Sequence, residues 1–168
     1  MEEQGRIKVG GIMAKTGLAL VNVLSLPARP GVCGILLHRI GKKNINIEFV
    51  VYCPGNDGNG SMTFCVDQED FESAWKVTEE VKPLIEAKRV SYGLDVAMIS
   101  VFGPHFREKP MISGLMFEAL GRAGIEVLAI STSISTCSCL IRGDHAEDAM
   151  EILHQTFEAP YQVTKFAP

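Results

Sequence analysis

The chain repeats itself. Shifted by 80 positions, residues 30–47 fall on residues 110–127 in one ungapped register. Pro30 meets Pro110, Gly34 meets Gly114, Leu36 meets Met116 and Leu37 meets Phe117. Further on, Ile40 meets Leu120, Gly41 meets Gly121, Ile45 meets Ile125 and Ile47 meets Val127. A chain of 168 residues that duplicates one pattern must build two similar units, each with its own buried face.

Each copy parses in the same way. In the first, LALVNVLS reads as a strand and LPARPG as its exit loop. Residues 31–42 carry Val32, Ile35, Leu36 and Ile40 at helical spacing, with Pro30 suited to the first helical turn. INIEFVVYC (45–53) is β-branched and aromatic and predicts a strand. PGNDGNG is turn chemistry, and SMTFCVD (61–67) predicts the returning strand of a hairpin. A second helix is expected over 68–82, starting near Asp67 or Asp70 with Phe71, Ala74, Trp75 and Val81 on one side. KRVSY (88–92) supplies a last short strand.

The second copy gives strand DVAMISVFG (95–103), a helix over 111–123, strands IEVLAIST (125–132) and TCSCLIR (136–142), and helix HAEDAMEILHQTF (145–157). It is one strand short, and APYQVTKFAP offers at best a weak one. The amino-terminal RIKVGGIMAKT can fill the gap. The expected domains are therefore 18–92, inserted within a second unit made of 1–17 and 93–168. A βαββαβ unit is the ferredoxin-like α+β plan, a four-stranded antiparallel sheet with both helices on one face. Its bare face must be covered by pairing of the units or by dimerisation.

Composition narrows the function classes. A formal net charge of −4 with scattered Lys and Arg gives no basic stripe for nucleic acid. No apolar run is long enough to span a bilayer, and MEEQGRIKV lacks the form of a signal peptide, so a cytoplasmic location is expected. Five cysteines without a CxxC spacing fit neither a disulfide framework nor a metal site. Alternation in CSC puts Cys137 and Cys139 on one strand face, as small buried hydrophobes. His38 and His154 lie on predicted helices and His105 in a loop, all read as surface or boundary residues, and His145 belongs to a capping segment. EEVKPLIEAKR reads as a solvated helix end, and Phe102, Phe106, Met116 and Phe117 as core and interface. No nucleophile, metal cluster, cofactor loop or carboxylate pair stands out.

SLPARPGVCGILLHRIGKKNINIEFV resembles the first ACT domain of aspartate kinases, and FGPHFREKPMISGLMFEALGRAGIEVLAISTSIST resembles the second. LIRGDHAEDAMEILHQTF is similar to the closing strand and helix of that family, whose amino-terminal strand is donated to the second unit. The resemblance covers residues 7–157 and leaves out the kinase domain. It implies a non-catalytic homodimeric sensor of an amino acid, like the small regulatory subunit that serves feedback in the lysine, threonine and methionine pathway. The implied partner is a separate kinase catalytic subunit.

An amino acid presents a carboxylate beside an ammonium. Exposed main-chain N–H groups at a helix start suit the first, and strand carbonyls or an acid suit the second. Carried over by the resemblance, the effector residues are Ala28, Gly31, Asn46, Glu48 and Tyr52, facing Glu126 and Val127 with Ser131 and Thr132 nearby. Several depart from the family pattern. Ala28 replaces a loop acid, Tyr52 a Gln, Glu126 an Asn and Ile134 a Glu, while Met111 stands where a glycine is usual. Two other readings compete: an interaction or transcription-regulating ACT module that has lost its ligand, and a regulatory subunit like that of acetolactate synthase.

Overall fold

The computed structural model describes residues 6–104, 106–160 and 162–164, so His105 lies outside the described residues. Its elements run β1 (Ile7–Lys8), β2 (Gly11–Pro27), α1 (Val32–Gly41), β3 (Phe49–Pro54), β4 (Asn59–Asp67), α2 (Phe71–Val81), β5 (Arg89–Phe102), α3 (Met111–Arg122), β6 (Ala129–Thr132), β7 (Thr136–Arg142), α4 (Ala146–Thr156), β8 (Phe157–Glu158) and β9 (Gln162–Thr164). Two compact units result. The central unit is Leu18–Asp95, and the split unit combines the residues up to Gly17 with those from Val96 onward. Gly17 (φ 69) and Asp95 (φ 54), the last residue of each shared segment, both take left-handed backbone angles.

In the central unit the strands are ordered β3–β4–β2–β5. β4 runs antiparallel to β2, from Leu18 opposite Asp67 to Pro27 opposite Asn59, and antiparallel to β3. Alternate residues Ala19, Val21 and Val23 of β2 and Met62, Phe64 and Val66 of β4 point to one side. There they meet Val32, Leu36 and Ile40 of α1 and Ala74, Val77 and Val81 of α2, which share a stripe at helical period. Both helices therefore cover the same sheet face.

The split unit repeats the plan in the order β2–β5–β7–β6. Ile12 and Ala14, Ala97, Ile99 and Val101, and Cys137, Cys139 and Ile141 pack against Ile112, Met116 and Leu120 of α3 and Ala149, Met150 and Leu153 of α4. The amino-terminal segment thus holds the fourth strand position of a ferredoxin-like sheet. One parallel strand extends it, β9 beside Ile12–Ala14, and β1 and β8 form a separate two-stranded parallel sheet. The units even share a polar cross-strand pair. Thr63 Oγ1 donates to Asn22 Oδ1 at 2.7 Å in one, and the Ser100 and Ser138 hydroxyls meet at 2.7 Å in the other.

Several sequence expectations need correction. KRVSY and DVAMISVFG are parts of one strand, Arg89–Phe102. Residues 45–48 and 125–128 are connections, not strand, and β3 and β6 begin at Phe49 and Ala129. The reason is the left-handed stop before each connection, Asn44 at φ 59 and Gly124 at φ 73, which forces a turn out of the helix. Ile45 and Ile125 are apolar because they plug the cores, at 6% and 4% exposure, not because they join a ladder. Pro30 precedes α1, whose N-cap is Gly31, so it is not in the first helical turn. α2 ends at Val81, and the stretch after it is more than a solvated end, because Ile85 is fully buried and Ala87 nearly so.

Candidate functional site

Each unit turns from strand to helix at a corner built from the same parts. In the central unit, Gly31 caps α1 with φ 83, an angle that a β-carbon would strain. The first-turn amides of the helix have no partners within it, and Gly34 leaves open space beside them. The Ala28 N–H donates to the Gly58 carbonyl at 2.9 Å, tying the exit loop to the β3–β4 turn. Arg29 sits at the corner with its guanidinium 2.8 Å from the Glu86 carboxylate and donating to the Leu84 carbonyl at 3.4 Å. After α1, Asn46 Nδ2 donates to Glu48 Oε1 at 2.6 Å, and the Glu48 N–H donates to the Cys65 carbonyl at 2.9 Å. Tyr52 is half-buried on β3 and packs on the core, its ring filling the space that Gly60 leaves.

In the split unit, Lys109 takes the place of Arg29 and donates through Nζ to the Lys8 carbonyl at 2.6 Å. Pro110 caps α3, and Met111, where Gly31 stands in the other copy, is 59% exposed. Thr132 lines an open hollow of about 490 Å³ with Lys109, Ser113, Ile134 and Cys137. Ser131 is half-buried opposite Ser138, and Thr132 is exposed opposite Cys137. Glu126 is exposed, and Val127 packs on the core.

The structure therefore brings Ala28 and Gly31 to one corner, pairs Asn46 with Glu48, and sets Ser131 and Thr132 side by side on β6. Reading the sequence for effector residues passed over the two corner cations. The repeat carried the signal, since Arg29 and Lys109 each precede the shared proline.

None of the buried thiols is set up as a nucleophile. Burial pushes Cys65 and Cys139 up to about 12. It also raises Cys137, against a hydrogen bond from Ser113, and Cys33. No group of three or more His, Cys, Asp or Glu among the described residues is placed to hold a metal ion, and no described helix is long and apolar enough to cross a membrane.

A profile of the ACT domain family matches residues 99–157. Those residues are an ACT domain. The chain as a whole is similar to the regulatory region of aspartate kinases. It is 29% identical over 150 residues to the aspartate kinase of Pseudomonas putida, which covers 89% of this chain and 36% of that protein. It also aligns with a chain from the crystal structure of aspartokinase alpha and beta subunits, at 26% identity and TM-score 0.81, covering 88% of this chain and 97% of that one. The regulatory subunit of aspartate kinase from Thermus flavus matches at 25% identity and TM-score 0.82, over 90% of this chain and 99% of that one. The chain thus spans 36% of the curated kinase's length, and nearly all of the separate regulatory subunit's.

Proposed function

We propose that this chain is an amino-acid-binding allosteric regulator that acts on an aspartate kinase catalytic subunit in the cytoplasm and has no catalysis of its own. The observation that carries the reading is coverage: the ACT region aligns end to end with a regulatory subunit that exists as a separate chain. The effector is bound by Ala28, Gly31, Asn46, Glu48 and Tyr52 of one copy, with Glu126, Val127, Ser131 and Thr132 supplied by a second copy in a homodimer. Main-chain N–H groups at the α1 corner take the carboxylate. With the loop acid replaced by Ala28, the exposed Glu126 takes the ammonium. Saturating ligand at a hundredfold over Kd stabilises the bound state by about 2.7 kcal/mol. That is enough to supply the roughly 1–3 kcal/mol of coupling typical of allosteric switches.

Thermal-shift titration with each of the twenty amino acids tests this. A rise in Tm confined to one or two of them, lost in Glu126→Ala, is the expected result. A flat response to all twenty overturns it in favour of the ligand-free interaction module. That second reading has its own observation, Ile134, which stands at a hairpin tip with 69% of its surface exposed where the family carries an acid.

A further inference from the structure

The central unit holds a hollow of about 580 Å³ beside its β3–β4 turn. Leu24, Ser25, Cys53, Asp57, Ser61 and Arg89 are in its wall. Pairing register fixes its position. Ser61 stands opposite both Leu24 on β2 and Cys53 on β3, whereas the neighbouring Val23 and Met62 point into the helix-covered core. The hollow therefore opens on the sheet face away from the helices, where three adjacent strands give its floor and the first residue of β5 gives Arg89.

Its two charges are of opposite sign and do not neutralise each other. Arg89 forms no ion pair among the described residues, although it shares the wall with Asp57. Asp57 is held in place: its two carboxylate oxygens accept from the Asn59 N–H and from Asn59 Nδ2, each at 3.1 Å. Those bonds hold its carboxyl below the usual carboxylate range, with Lys88 adding a smaller pull. Ser25 has φ 52 at the register shift between Leu24 and Leu26, a left-handed angle uncommon for a side-chain-bearing residue. Strain of this kind persists where the surrounding structure fixes it, often beside a ligand site. The volume lies within the range of small-molecule sites.

We propose that this hollow is a binding site for a small α-amino acid, distinct from the α1 corner. The carboxylate of the guest takes the Arg89 guanidinium, its ammonium takes Asp57, and its side chain lies over Leu24 between the Ser25 and Ser61 hydroxyls. A guest here also touches the turn whose Gly58 carbonyl holds Ala28, so occupancy is communicated to the exit loop of the α1 corner.

Two-dimensional amide NMR of the full chain, titrated with each of the twenty L-amino acids, locates the guest. At least one is expected to shift the signals of Ser25, Asn59, Ser61 and Arg89 together. Arg89→Gln is expected to weaken that binding about tenfold or more, as loss of a charge-assisted bond does, and Asp57→Asn to weaken it as well. The N-acetylated and carboxamide forms of the same amino acid are expected to fail. Arg89 is exposed, so its variant keeps the fold, and unchanged signals elsewhere verify this. The proposal is overturned if none of the twenty moves these signals, or if the ligand that moves them does so equally well in Arg89→Gln. Glu126→Ala separates the two sites: it is expected to leave these shifts intact even where it abolishes the thermal response assigned to the α1 corner.

Discussion

Cys65 and Cys139 sit on central strands at zero exposure, where an ionised sulfur has no water to solvate it. Their thiols stay protonated until about pH 12 in the folded chain, whereas the unfolded chain releases the same protons at about pH 8.5. The folded state thus binds more protons between those limits, so stability falls as pH rises through that window and is unaffected below it. The slope is at most about 1.4 kcal/mol per pH unit for each thiol. Urea midpoints measured at steps from about pH 8 to pH 10.5 are expected to decline, and Cys139→Ala is expected to flatten the decline. An unchanged slope in that variant counts against the burial argument. The pairing of Cys137 and Cys139 on one buried face was legible from alternation alone. The Arg89–Asp57 hollow was not, because the groups that meet there lie far apart in sequence and are joined by a bulge at Ser25 that no residue pattern announces.

At the scale of elements, hydrophobic period located the four helices to within three residues, since helix faces must match a strand row of fixed spacing. It failed after α1 and α3, where a buried isoleucine in a connection looks like the first residue of a strand. Glycines separate the two kinds of constraint. Gly121 lies in helix α3, and a methyl group at its Cα would meet nothing within 4 Å, so Gly121→Ala is expected to stabilise by about 0.5–1 kcal/mol. Gly103 is different, because a β-carbon there meets the Gly10 nitrogen at 2.6 Å, within the contact that lets the Gly10 N–H donate to the Phe102 carbonyl. Gly103→Ala is expected to cost about 1–3 kcal/mol. Chemical denaturation of the two variants side by side checks both signs, and a neutral Gly103→Ala refutes the close-approach reading.

For the whole molecule, the consequence of the duplication is that one unit is continuous in sequence and the other is not. The split unit takes Ile12 and Ala14 into the same core as Ile99, Cys139 and Leu153, so its sheet is complete only when distant chain segments meet. The central unit draws its core entirely from residues between Ala19 and Ala87. Closing the long loop between β2 and β5 costs little more entropy than closing a short one, because the cost grows only with the logarithm of length. An inserted unit that folds by itself removes even that. A chain beginning at Leu18 loses the fourth strand of the split unit and leaves the central core intact. Hydrogen exchange on that truncated chain is expected to show protection kept at Met62, Phe64 and Val66 of β4 and lost at Ile99 and Val101 of β5. Adding a peptide of residues 6–17 is expected to restore the second set. Loss of protection in β4 together with β5 instead means that the two cores form one cooperative unit, in which case a ligand at either corner acts on the whole chain at once.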